Sequence, residues 1–227
     1  MEEIQKLPVG IDSFTLIREH AYLYVDKTAQ LENLVQGGKS YFLSRPQGFG
    51  KTVMLSTLTA MFSGKTEYFK GLACEEKVKE YARHPCPVMN FDFSILDTED
   101  FAAFTDSFME VLDTVSEDFD IKTQDTRIRK KISTSIKSIY EQYGSIVLLI
   151  DNYDKPIIKC FNNREILFKV YQLLQSFYAT IKIYTKYICF IMITGEEKYT
   201  SAGVFSTIEK IQDISSTQVY DSLLGFT

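Results

Sequence analysis

The sequence predicts a three-layer α/β fold around a mainly parallel central sheet, and three observations carry that prediction. Ser145 to Asp151 (SIVLLID) and Tyr187 to Ile193 (YICFIMI) are apolar runs too short for ordinary helices, as strands covered on both faces require. Between them, Leu167, Val170, Leu173, Leu174 and Phe177 recur at helical spacing, the pattern of a crossover helix. Finally, Tyr41 to Phe62 (YFLSRPQGFGKTVMLSTLTAMF) reads as a short apolar strand, a loop with two glycines and a proline, and a helix opening at Lys51-Thr52.

Strand, tight loop and helix in that order cradle phosphate: backbone N–H groups of the loop and first helical turn point at an anion. The candidate nucleotide-binding stretch is Arg45, Pro46, Gln47, Gly48, Phe49, Gly50, Lys51, Thr52 and Val53. Lys51 supplies a fixed positive charge for the β- and γ-phosphates, and Thr52 a hydroxyl for Mg²⁺. Only the second half of the GxxxxGK(S/T) pattern is met, because Arg45 takes the place of the first glycine. The tripeptide also occurs at Gly38-Lys39-Ser40 and Gly64-Lys65-Thr66, but only Gly50-Lys51-Thr52 lies between a strand and a helix. The plain alternative is an ordinary strand-to-helix connection.

Before this unit, Leu7 to Gly10 reads as a turn into an irregular segment, Tyr22 to Val25 as a short strand, and Asp26 as the N-cap of a helix through Val35 ended by Gly37-Gly38. Tyr24 to Thr28 is either a base-binding region or a connector packed on the sheet. After it, a polar helix near Glu75 to Arg83 leads to a second strand, Pro87 to Phe93. Asp92 near its end either faces the nucleotide pocket or caps the next loop. A long helix over Glu99 to Glu117 precedes one striped by Ile128, Ile132, Ile136 and Ile139 and closed by Gly144.

Asp151 ends the SIVLLID strand, and in open α/β sheets ligands bind outside the carboxyl ends of the strands. It therefore fits the Walker B role of orienting Mg²⁺. Asn152 follows where many P-loop ATPases carry a water-polarising glutamate. An amide holds a water but does not take its proton at neutral pH. Asp154, two residues on, is a second candidate for that task. Thr194, after the YICFIMI strand, is either a sensor hydrogen-bonding the γ-phosphate or attacking water, or part of a strand-end turn with Gly195.

Composition bounds the rest. The 227 residues, 45% hydrophobic and 24% charged, suit one α/β domain over 1–227, read as an N-terminal segment 1–38 and a nucleotide-binding core 39–227. No apolar run reaches the ~18 residues of a membrane span, and the N-terminus lacks secretory character, so a soluble, cytoplasmic protein is expected. Four scattered cysteines without a CxxC pair and two histidines argue against zinc and for reduced thiols. A net charge of −5 argues against a broad nucleic-acid surface, and the basic run Arg127 to Lys131 reads as a solvated helix face.

LPVGIDSF (7–14), YLYVDKT (22–28), YFLSRPQGFGKT (41–52), VMNFDFS (88–94), LLIDNYDKPI (148–157), FIMITG (190–195), VFS (204–206), DISS and the closing LLGFT stand together in order across nearly the whole chain. In this the sequence resembles the AAA-ATPase-like family, often found N-terminal to a PD-(D/E)XK nuclease-like region. The resemblance implies an ASCE-type P-loop ATPase fold, with ATP and Mg²⁺ as ligands and ATP hydrolysis as activity. It also accounts for Arg45, since the family's loop usually reads SRPRRFGKS. Here Gln47 and Gly48 replace two arginines, and Asn152 replaces the glutamate of LIDEYDKP. The chain ends about where a helical lid and the nuclease-like region would begin. The expected function is a nucleotide-dependent switch with weak or absent hydrolysis, read by a C-terminal region or protein partner. An active ATPase and a non-catalytic interaction module are the alternatives. No arginine-rich lid points to a small-molecule kinase, and no NKxD motif to a GTPase.

Overall fold

The computed structural model describes residues 5–123, 125–199, 208 and 211–225. Helices α1 (Phe14–Glu19) and α2 (Thr28–Gly37) precede β1 (Ser40–Ser44) and α3 (Lys51–Phe62). Then come α4 (Glu75–Tyr81), β2 (Val88–Asp92), α5 (Phe101–Glu117), α6 (Ile128–Tyr143) and β3 (Ile146–Asp151). The chain continues through α7 (Lys155–Cys160), α8 (Arg164–Ile183), β4 (Ile188–Gly195) and the short β5 (Gln212–Asp213).

The strands form one sheet in the order β2-β3-β4-β1-β5, with every pairing parallel. This is an α/β P-loop NTPase architecture of the ASCE type, in which β4 is inserted between the strand that feeds the loop and the strand ending in Asp151. Because all strands run the same way, Ser44, Asp92, Asp151 and Gly195 gather at one edge.

Alternation along the strands builds two cores. Phe42, Phe91, Leu148, Ile150, Ile191 and Ile193 face the layer of α5, α6 and α8, while Tyr41, Leu43, Val147, Leu149, Phe190 and Met192 face the layer of α1 to α4. All six residues of β3 are buried, which explains its unbroken apolarity. On the first face Phe177 of α8 packs against Phe91, Phe93 and Phe108 with ring centroids 5.4–5.6 Å apart, mostly edge-on. Each such pair contributes about 0.5–1.5 kcal/mol beyond burial. Gly144, at φ +88°, closes α6 with its N–H on the Tyr140 carbonyl, and the left-handed backbone there favours glycine.

The structure corrects several local expectations. Tyr22 to Val25 joins no sheet; the Leu23 N–H bonds the Lys6 carbonyl at 2.8 Å instead. Asp26 is not the N-cap, a position held by Lys27, but its carboxylate accepts from the N–H and hydroxyl of Thr28 at 2.8 and 2.6 Å. Thr194 and Gly195 lie inside β4 rather than in a turn beyond it. The expected VFS segment lies outside the described residues. Among the described residues, no helix is long and apolar enough to cross a membrane.

Candidate functional site

The loop between β1 and α3 turns on Gly48 (φ +80°) and Gly50 (φ +87°), left-handed conformations that glycine adopts without strain. Gly50 is the N-cap of α3 and has no side chain to cap it. No carbonyl among the described residues accepts from the N–H groups of Lys51, Thr52 or Val53. These first-turn donors are therefore available to an anion, which the helix dipole would also favour.

Lys51 is 6% exposed, and its ammonium donates to the carbonyls of Arg45 (2.6 Å) and Pro46 (2.9 Å). An ammonium has three donors, so one N–H remains. Burial draws this group below its ordinary range, while the nearby carboxylates of Asp151, Glu196 and Asp154 act the other way.

Asp151 organises the strand tips. Its Oδ2 accepts from the Thr52 hydroxyl at 2.6 Å, 99 positions away in the chain. Its Oδ1 accepts from the Thr194 hydroxyl at 2.5 Å and from the Asn152 N–H at 2.9 Å. The crossover order permits this, because β4 carries Thr194 between the elements bearing Asp151 and Thr52. Because the Thr52 hydroxyl donates to Asp151, its lone pairs are left as acceptors, and the oxygen set of Thr52 and Asp151 is of the type a hard divalent cation takes. No group of three or more His, Cys, Asp or Glu side chains forms a further metal cluster among the described residues.

Asn152 adopts φ +53°, a conformation asparagine tolerates better than most residues. Its Nδ2 donates to Asp92 Oδ1 at 3.0 Å, so its own Oδ1 is left as an acceptor. Asp92 joins both expected roles: it also caps the following turn through the N–H and hydroxyl of Ser94, each at 2.8 Å.

Asp154 is fully buried, with Oδ2 accepting the N–H groups of Glu196 and Glu197 at 2.8 Å each. Its Oδ1 has no partner among the described residues. Burial raises this carboxyl above the ordinary range, against the lowering effect of the two N–H groups. Beside it, the Tyr153 hydroxyl donates to the Glu197 carbonyl at 2.8 Å and accepts from the Tyr199 N–H at 2.7 Å. Lys155 pairs with Glu196. These five contacts fix the segment after β4, a local function that strand and helix patterns do not signal.

Arg45 turns away from the loop interior. Its guanidinium donates to the carbonyls of Ser44 (3.0 Å) and Ser215 (2.5 Å) and lies 3.7 Å from Asp221. Its N–H bonds the Gly195 carbonyl at 3.1 Å. Gln47 has no such tie among the described residues, and Phe49 is 48% exposed at the loop tip.

Against the loop opens a largely apolar cavity of about 460 Å³. Gly48, Phe49, Gly50 and Val53 form one wall, Tyr24, Val25 and Lys27 another, and Leu223 to Gly225 a third. Its volume is in the range of small-ligand sites. Tyr24 lines this cavity, its hydroxyl 3.3 Å from Thr57 and its ionisation pushed up to about 12 by burial. The Leu223 wall has no sequence periodicity that would reveal it. A second groove, about 630 Å³, is lined by Arg127, Arg129 and Lys130 near the end of α8, which feeds the opposite edge of the sheet. In the same basic run Lys130 pairs with Asp125 at 2.9 Å and Lys131 with Asp113.

Fold and loop together place the chain in the P-loop NTPase class. The family described as AAA-ATPase_like: Predicted AAA-ATPase matches residues 8–205, and the chain belongs to that family. It is 32% identical over 226 residues to an "Uncharacterized protein in vnfD 5'region" of Azotobacter chroococcum mcd 1, covering 98% of this chain and 43% of the relative. This chain therefore spans less than half of that protein's length. Among solved structures, it is similar to the Walker-type ATPase paby2304 of Pyrococcus abyssi, at 12% identity and TM-score 0.40, covering 98% of this chain and 59% of the other. A likeness that distant carries nothing further.

Proposed function

We propose that this chain binds ATP with Mg²⁺ and works as a nucleotide-dependent switch whose hydrolysis is slow or absent. One observation carries the reading: the Thr52 hydroxyl meets the Asp151 carboxylate beneath an uncapped helix N-terminus, with Lys51 buried beside it. In this reading the N–H groups of Gly48 to Val53 and Lys51 hold the phosphates, and Thr52 and Asp151 hold Mg²⁺. Thr194 keeps Asp151 oriented, and the cavity of Tyr24, Phe49 and Leu223 takes the base. Bound Mg²⁺ would neutralise charge on the phosphate oxygens.

Asn152 supports slow turnover, because its amide positions a water without accepting its proton. A second reading, retained ATPase activity, is favoured by the Asp92 carboxylate held against Asn152. The reader of the switch would be a further region such as the longer relative contains, or a separate protein. A cytoplasmic setting suits ATP and Mg²⁺ as ligands.

Calorimetric titration with a non-hydrolysable ATP analogue and Mg²⁺ tests the proposal. The parent protein should bind, and Lys51→Ala should weaken binding by at least about tenfold, roughly 1.4 kcal/mol. A parent that gives no heat and no protection would leave an interaction module as the better reading.

A further inference from the structure

The molecule carries a net charge of −5, yet one strip of it has the opposite sign. Residues 127–143 hold five Lys or Arg and residues 180–187 hold two, against the single carboxylate of Glu141. The fold brings the two segments together, because α6 packs on α8. None of the residues lining the groove between them lines the cavity at the nucleotide loop.

The basic run Arg127 to Lys131 divides along this strip. Lys131 turns inward, 3% exposed and paired with Asp113, and Lys130 pairs with Asp125 at 2.9 Å. Arg127 and Arg129 are exposed, and among the described residues neither guanidinium has a hydrogen bond or an ion pair. Both line the groove of about 630 Å³, whose other side is Thr180, Ile183 and Tyr184 at the end of α8.

Through Tyr184 the groove reaches an aromatic cluster. Tyr184 and Tyr187 stack with centroids 6.1 Å apart and ring planes 21° apart, and Tyr140 of α6 meets Tyr187 at 4.6 Å. The ammonium groups of Lys137 and Lys186 lie 5.5 and 4.7 Å from the ring centroids of Tyr184 and Tyr187. Both lysines are exposed. An exposed cation over a ring is held weakly, and a nucleobase stacks on such a face more strongly. Exchanging one for the other frees the ammonium for a neighbouring phosphate.

From this arrangement we infer that the strip binds single-stranded nucleic acid, with Arg127, Arg129, Lys137 and Lys186 on backbone phosphates and Tyr184 under a base. A single strand offers negative charge and open ring faces along one line, the combination that this strip complements. An acidic peptide would use the cations and leave the tyrosines idle, and a duplex keeps its base faces stacked inside. The net charge argues against a broad surface for nucleic acid, not against a narrow one. Because phosphates and ring faces are common to every nucleotide, little sequence preference follows. The strip needs no nucleotide at the loop to be occupied.

The full chain, free of nucleotide, is titrated into a fluorescein-labelled oligothymidylate of about 12 nucleotides, a length that single-strand grooves span, and anisotropy is read at low salt. Saturable binding is expected, and with about three phosphates engaged a fourfold rise in salt should weaken it about twentyfold. The double variant Arg127→Ala/Arg129→Ala should bind at least about tenfold more weakly with an unchanged urea midpoint. Tyr184→Leu, which keeps bulk and removes the ring, should lose about tenfold, while Tyr184→Phe should bind as the parent does. A duplex of the same length and an oligoglutamate of equal charge should both bind more weakly than the oligothymidylate. No binding at low salt, or an affinity that survives the double variant or Tyr184→Leu, overturns the inference. Oligoglutamate binding as tightly would assign the strip to an acidic protein segment, and duplex binding as tightly would mean that the rings are not used; either result overturns it as well.

Discussion

At position 152 the backbone is left-handed and the side chain meets Asp92. Asn152 is held by Asp92 through Nδ2, so a glutamate placed there would stand against a carboxylate. Like charges that close raise the proton affinity of the pair, which favours a general base working nearer neutral pH. Asn152→Glu should therefore increase phosphate release by at least about tenfold, in the range general bases supply, with an apparent pKa above that of an ordinary glutamate. Steady-state release over pH 5 to 9 checks this; an unchanged rate would mean that something other than the missing carboxylate limits turnover. Lys51, Thr52 and Asp151 were legible because each belongs to a short pattern tied to a strand or helix end. Asp92 contacting Asn152 was not, since it depends on the β2–β3 register that brings Asp92 opposite Asp151. The burial of Asp154 was equally hidden, because its partners are two backbone N–H groups beyond β4.

Among the elements, β4 is the most constrained at its end. A Cβ on Gly195 would lie 2.5 Å from Tyr153 Cδ1 and 2.9 Å from Asp154 Oδ1, and Tyr153 is itself fully buried against Phe42. Gly195→Ala should cost about 1–3 kcal/mol, the usual penalty for overpacking. Urea unfolding would show it as a lower midpoint with an unchanged slope; an unshifted midpoint would mean that the ring yields freely. The sequence announced the long elements well: β3 through its apolar run, α5, α6 and α8 through their stripes. It understated the short ones. Helices α1 and α7, of six residues each, are too brief for periodicity to register, and β5 contributes only two residues to the sheet. A bulge in β4 at Cys189, between the Ile146–Ile188 and Val147–Phe190 pairs, leaves no compositional trace either, because YICFIMI reads the same with or without it.

For the whole molecule, the buried Asp154 links stability to pH. Its folded carboxyl lies above the 3.8 of the unfolded chain, so between these values the native state holds more protons. Its contribution is fully present below the unfolded value and is lost as pH rises through the folded one. The stability of the parent relative to Asp154→Asn should therefore decline from acidic to neutral pH, as read from urea midpoints at several pH values; a difference that stays flat or grows would contradict the assignment. The three layers follow directly from the alternating faces of strands covered on both sides. The cavity wall at Leu223 to Gly225 could not be read that way, because it depends on the chain returning to its own beginning.

Besides the β1–β5 pairing and the bonds of Ser44 to Ser215, Arg45 ties that return to the loop. The guanidinium of Arg45 grips the Ser215 carbonyl and sits beside Asp221, while its own peptide N–H is moored to the end of β4. A glycine at this position would keep the backbone bond to Gly195 but lose the side-chain ties to Ser215 and Asp221. A movement of the backbone at residue 45 would therefore have to break or carry along these contacts with Ser215 and Asp221.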